Sequence, residues 1–405
     1  MTADRNIGIM LGMYFNCFVA IGVFDLGKNL SYIPVSGLGF LTVAYAFYVH
    51  GWNVRSDHLM RWLMLTGLFA GIVGVSYLIN FNEYRLALTF KAIGYFSVYF
   101  VASGVALAGG WRPVHHCLKV YWLGLLASIV ITMAINNCNP HNHRLHGPFK
   151  KHNVTTSGLH ANEVGQIGMT AVLAAATVGW PAVLLTAPVG FYVALMSGSR
   201  GSMIAIFIAM ATYFVAREFL AKFRNRPAYY VPRRGLQLAS ILFVLLCVAG
   251  VFIGPTIAEK VLLLNDPRRG LSSGLTGRSE QWAALWEHWL RSPVFGRGYA
   301  IVRAEVQSVG GHADGGFLLV MAELGVIGLL FFLGLFAGAI KTCFTAVART
   351  GSANELTFFV FLCAFCFINL FESRIVGAGS MGLGMFFYCV SLCLIRPQTS
   401  EAQAA

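Results

Sequence analysis

Three polar spots carry the residue types from which chemistry can be built in a chain that is otherwise strongly apolar. The first is LMSGSRGSMIAIFIAM (195–210), where Arg200 is the only charged residue between Trp180 and Ala216. Hydrocarbon penalises an unpaired guanidinium, so Arg200 should face protein, water or an anion. Gly198 and Gly201 let a ligand approach the backbone, and Ser197, Ser199 and Ser202 add hydroxyl donors. The stretch is not a nucleotide loop, because GxxxxGK[ST] is absent. The second spot is Arg278, in TGRSEQWAALWEHWLRSP (276–293), and the third is His312, in SVGGHADGGFLLVMAELGVIGLL (308–330). Two guanidiniums, each expected beside a helix start, suit a multiply charged phosphate, since each planar fork holds two oxygens. A histidine whose ordinary pKa is about 6.5 takes a proton at neutral pH without strong perturbation. A lone arginine or histidine at a span end is more often an interfacial anchor. The serine–glycine frame of Arg200 tips that balance toward a ligand.

The elements that must position these groups are membrane helices. Of the 405 residues, 57% are hydrophobic and 11% charged, and the mean hydropathy is +0.68. Soluble domains carry about 25% charged residues, so the composition predicts an all-α polytopic membrane protein. With about 20 apolar residues per span, about twelve spans are expected. They centre on 7–24, 32–49, 62–79, 88–108, 118–135, 161–178, 182–197, 202–216, 236–253, 316–340, 356–370 and 377–395. The whole chain, 1–405, reads as one polytopic domain with a large loop, 255–315, inserted between spans. The first apolar run follows MTADRN and has no small-residue cleavage pattern after it, so it should remain as a span.

Lysine and arginine dominate the loops on one side, notably REFLAKFRNRPAYYVPRR (217–234), which places both termini in the cytoplasm and the loops 136–160 and 255–315 outside. The net charge of +13 is therefore topological and suits anionic lipid; no nucleic-acid partner is expected. In the large loop, Trp282, Leu285, Trp286, Trp289 and Leu290 form one apolar stripe, predicting an amphipathic helix at the water–lipid boundary. Thr276 or Ser279 should cap it, Pro293 should end it, and Arg278 should stand at its start. Such a helix can both plug the bundle and wall a substrate site.

Other candidates are weaker. The histidines of NPHNHRLHGPFKKH (139–152) are loosely spaced among Arg144, Lys150 and Lys151, so no metal site is expected there. Most of the nine cysteines fall inside spans, and the pairs Cys363/Cys366 and Cys389/Cys393 read as small packing residues. The outside carboxylates, Glu372 among them, include no close pair for glycoside hydrolysis or a divalent ion.

Taken in order, SGSRGS, then GRSEQWAALWEHWLRSPVFGRGY, then HADGGFLLVMAELGVIGLL resemble the O-antigen ligase/polymerase superfamily, over roughly 195–330. GLHANEVGQIGM (158–169) resembles an earlier segment of that family. The resemblance implies a GT-C-like glycosyltransferase of the bacterial inner membrane, working at the periplasmic face without cofactor or metal. It implies a glycan donor on undecaprenyl diphosphate and, in the ligase branch, a sugar of the lipid A core as acceptor. The implied catalytic residues are Arg200, Arg278 and His312, with substrate contacts from Ser199, Gly201, Ser202, Trp282, Arg297, His160 and Asn162. Related sequences often carry Asn after the histidine, where this chain has Ala313. The polymerase and protein-glycosylating branches share this logic. A transporter for anionic lipid is the rival of another class; it would favour an internal repeat and broken midplane helices, and neither is visible.

Overall fold

A computed structural model describes residues 2–24, 32–51, 54–81, 86–135, 161–178, 180–197, 199–223, 274–308, 313, 315–350, 353–373, 375 and 382–396. Apart from turns, these residues are helical: α1 (Thr2–Phe24), α2 (Tyr32–His50), α3 (Ser56–Ile79), α4 (Leu86–Gly109), α5 (Val114–Ile135), α6 (Ala161–Val178), α7 (Trp180–Ser197), α8 (Arg200–Phe223), α9 (Gly274–Arg291), α10 (Ile301–Ser308), α11 (Gly316–Thr350), α12 (Ala353–Phe371) and α13 (Leu383–Ile395). Each expected span meets a helix over all or part of its length, except 236–253, which lies outside the described residues. Among the described residues, five stretches are long and apolar enough to cross a membrane: Ser56–Ile79, Lys91–Gly109, Val114–Ala134, Gly316–Ala348 and Asn354–Phe371. Shorter apolar stretches occupy Pro181–Ser197, Gly201–Tyr213 and Leu383–Ile395.

The apolar surface is distributed as a bilayer requires. Along α3, Leu63, Leu68 and Leu78 are exposed by half or more, although the helix is apolar nearly throughout. In water that face would be a liability; against lipid tails it is at home. The opposite extreme is α13, where every residue but Leu394 is buried. There Phe336, Phe365, Phe386 and Phe387 stack or meet at a tilt, forming the aromatic centre of the bundle. Elsewhere small residues let helices touch. A methyl added at Gly168 of α6 would stand 2.5 Å from the carbonyl oxygen of Gly190 in α7, so these backbones cross in direct contact.

One apolar helix is broken, a feature the sequence did not reveal. At Gly325 the chain turns to φ 71° and ψ −172°, inside what is otherwise the continuous α11. Such a kink orphans two helical hydrogen bonds, and the turn 292–298 supplies the replacements. Arg297 and Gly298 donate their backbone N–H to the carbonyls of Ala322 and Glu323 at 2.9 and 3.0 Å. In return, the N–H groups of Val326 and Ile327 donate to Pro293 and Val294 at 2.9 and 3.4 Å. A side chain at Gly325 would overlap Val294, and one at Gly296 would overlap Glu323. The turn following α9 is thereby locked into the side of α11, and α9 is held over the end of the bundle.

Candidate active site

The C-terminal end of α12, Phe371–Glu372–Ser373, touches three separate segments. The Arg278 guanidinium lies 6.0 Å from the Phe371 ring centroid, at the outer reach of a cation–π contact. Trp282, one turn along α9, faces the same ring at 6.5 Å. Glu372 is 1% exposed; Gln166 of α6 donates its amide to Oε2 at 3.0 Å. The other oxygen, Oε1, would stand 3.3 Å from a Cβ at Gly201, in the first turn of α8. Ser373 donates its hydroxyl to the carbonyl of Ala313, the residue after His312. One corner thus gathers the SGSRGS turn, the first half of α9 and the segment that enters α11.

The corner is itself well fixed. Asn369 accepts the Ile375 N–H at 2.9 Å and donates to the Phe365 carbonyl at 2.6 Å. Tyr95 of α4 donates its hydroxyl to the Ile375 carbonyl at 2.7 Å, and its ring stacks on Tyr299 at 4.7 Å. Tyr95 therefore links the corner to the docked turn. The start of α11 is seated equally closely. Gly315 has φ 106°, and a methyl there would stand 2.9 Å from the Trp282 indole nitrogen. A Cβ at Gly316 would meet the Asn369 side chain at 2.5 Å. The Trp282 N–H has no hydrogen-bond partner among the described residues, though it is buried. A buried donor without an acceptor costs about 1–3 kcal/mol, and a ligand oxygen would recover it.

The serine hydroxyls are engaged within their own turn. Ser197, Ser199 and Ser202 are all buried, and their hydroxyls bond within the turn: Ser199 to Ser202 at 2.8 Å, Ser197 to the Ala194 carbonyl at 2.9 Å. The Ser199 carbonyl accepts the Met203 N–H at 3.1 Å, which makes Ser199 the residue before the first turn of α8. A Cβ at Gly165 of α6 would clash with Ser199 at 2.5 Å, so the turn is packed tightly from that side too. These hydroxyls shape the approach to α8. The Glu372 carboxylate lies beside that helix start.

Arg200 is the first residue of α8, as its frame predicts. Arg278 is not at the start of its helix: α9 begins at Gly274, so Arg278 is the fifth residue, beyond the turn where the dipole acts. The expected cap at Thr276 or Ser279 is replaced by this earlier start, while Pro293 follows the helix end as predicted. The tryptophan stripe splits. Leu285 is buried and Trp289 packs on the core, whereas Trp286 and Leu290 are 47% and 58% exposed. Asn162 stands in the first turn of α6; His160, His312 and Asp314 lie outside the described residues. Arg297 is tied to Glu305 at 3.2 Å, and Glu305 also reaches His288 Nδ1 at 3.4 Å. Burial pushes the His288 pKa below its ordinary value, partly countered by the Glu305 charge. That trio braces the docked turn. The histidines of 139–152 also fall outside the described residues.

Gln166, Phe371, Glu372 and Ser373 were not singled out from the sequence as site residues. The available signal was a lone carboxylate closing an apolar run, FINLFESR (367–374), followed by Arg374.

Residues 181–333 match the family model described as O-Antigen ligase. Over those residues the chain is similar to the O-antigen ligase/polymerase superfamily. Members of that family are glycosyltransferase-like enzymes. The matched stretch includes Arg200, Arg278 and His312, whereas Gln166 and the 371–373 corner lie outside it. No curated protein matches the chain.

Proposed function

We propose that the protein is an O-antigen ligase, moving a glycan from undecaprenyl diphosphate to a sugar of the lipid A core at the periplasmic face of the inner membrane. In this reading about twelve spans put both termini in the cytoplasm and α9 at the outer boundary, with Trp286 and Leu290 toward lipid. The observation that carries it is the 371–373 corner, around which the segments bearing Arg200, Arg278 and His312 are assembled.

Outside the inner membrane no nucleotide activates the sugar, so the donor arrives with its diphosphate leaving group attached. An acceptor hydroxyl oxygen forms the new bond to the anomeric carbon as the carbon–oxygen bond to phosphate breaks. His312 takes the hydroxyl proton, a step typically worth about 10²–10⁴-fold. Undecaprenyl diphosphate departs with the bonding pair, and Arg200 and Arg278 hold the charge that grows on it. Attack from the face opposite the leaving group inverts the anomeric centre. Glu372 lies beside the first turn of α8 and positions that end of the site; the Trp282 N–H is available to a substrate oxygen.

The test is incubation of purified protein in lipid with diphosphate-linked glycan and core-bearing lipid A. A ladder of glycan on lipid A is expected. A carrier-linked chain that lengthens instead identifies a polymerase, glycan on protein a protein-glycosylating enzyme, and movement of lipid without a new covalent product a transporter. Any of these three results overturns the ligase reading.

A further inference from the structure

Cys343 of α11 and Cys389 and Cys393 of α13 place their sulfurs within 4.8 Å of one another, and all three are buried. The residues come from opposite sides of a helix pair. Cys389 and Cys393 are four apart and share one face of α13, and Cys343 meets them across the contact, 2.9 Å from the Cys393 sulfur. Two thiolates on one tetrahedral ion lie about 3.8 Å apart, given a metal–sulfur bond of about 2.3 Å. The trio is therefore within a small side-chain adjustment of a shared ion. Packing alone does not require this arrangement, because apolar side chains of similar size would fill the same contact.

The position also favours a metal. Cys343 stands about 27 Å along α11 from the Gly325 break, at about 1.5 Å per residue, close to the thickness of the hydrocarbon core. Cys393 stands near the end of α13, whose last turn is closed where Trp111 donates to the Arg396 carbonyl at 2.9 Å. The trio thus lies at the end of the bundle opposite the 371–373 corner. In the proposed orientation this is the cytoplasmic end, where thiols stay reduced and serve as ligands instead of forming disulfides. Three thiols that bind a divalent ion release three protons and leave a net charge of −1; a monovalent ion would leave −2 in the same low-dielectric surroundings.

We propose that Cys343, Cys389 and Cys393 form a three-thiolate site for a divalent thiophilic cation of the zinc class. Soft sulfur ligands select such ions over magnesium or calcium. The bound ion ties the inner end of α11 to α13 and so stiffens the aromatic centre of the bundle. This role is separate from glycan transfer and does not depend on it.

The experiment uses untagged full-length protein, kept reduced, in lipid nanodiscs and titrated with cadmium alone. Thiolate-to-cadmium charge-transfer absorption should saturate at one ion per chain. Cys343→Ser and Cys389→Ser should each weaken binding by more than the ~10–100-fold that loss of an outer-shell partner costs. Cys366→Ser, outside the trio, should leave it unchanged. X-ray absorption on the unmutated, cadmium-loaded protein counts sulfur neighbours without relying on any variant. Three sulfurs support the site, and fewer than three overturn it. Binding that fails to saturate, binding indifferent to Cys343→Ser, or a Cys343–Cys393 disulfide in protein purified without oxidant would each overturn it as well.

Discussion

Two buried carboxylates, Glu323 and Glu372, sit at broken ends of helices and are treated in opposite ways. Glu323 stands at the kink of α11, where the Arg303 N–H reaches its Oε1 at 3.4 Å and the Arg303 guanidinium its Oε2 at 4.0 Å. Its own carbonyl accepts hydrogen bonds from the Ser76 hydroxyl at 3.0 Å and from Gly298. Glu372 accepts a hydrogen bond from the Gln166 amide and lies beside the first turn of α8. The first carboxylate is answered by a cation from the adjoining short helix α10 and serves the docked turn. The second directs its charge toward the segment that bears Arg200.

Substitutions can break that contrast or sharpen it. The largest effect is expected at the reaction itself. His312→Ala and Arg278→Ala should leave an inserted, monodisperse protein whose glycan transfer falls by about 10²–10⁴-fold. Full transfer by both in a purified assay would reject their roles. Next comes the pair of acids. Glu323→Ala strips the counter-charge from Arg303 and should cost about 3–5 kcal/mol, read as a large drop in melting temperature. Glu372→Gln keeps its shape and should melt near the wild type while transfer falls about 10–100-fold, as for loss of a charged hydrogen bond. If the two variants behave alike in both assays, the contrast between the two acids is wrong.

Gly325→Ala should be milder than Glu323→Ala. Strained backbone costs about 1–3 kcal/mol, and overlap with Val294 adds to it, so the expected signature is proteolytic release of the 292–298 turn. Trp282→Phe keeps the ring against Phe371 and removes only the N–H; transfer should fall about 3–10-fold, with the loss mainly in KM. The smallest effect concerns pH. His288 is pushed below its ordinary pKa by burial, so the folded protein prefers the neutral imidazole. Its contribution is complete above about pH 6.5 and is lost as pH falls through the lowered folded value. A shallow decline of melting temperature on acidification, absent in His288→Gln, is the expected record.

Much of the architecture was legible because lipid imposes a simple code. Long apolar runs must be helices, since no other single-segment structure pairs its backbone groups in hydrocarbon. The helix 276–293 was legible from its tryptophan spacing, yet its start and the splitting of its stripe were not. Helix ends fray, and which tryptophan faces inward depends on the neighbour it meets. The serines of SGSRGS show the same division. Their types announce a tight polar turn, but only the packed Gly165 face of α6 reveals that the hydroxyls are used inside it.

Composition, periodicity and three short motifs by themselves determined a helical membrane protein and the segments expected to do its chemistry. Those properties are local, written within one or two turns of chain. Tertiary structure alone decided that Phe371, Glu372 and Ser373 gather three of those segments, and that Cys343 joins Cys389 and Cys393. Both groupings bring together residues dozens to hundreds of positions apart, and such meetings follow from how helices pack, which no local pattern encodes.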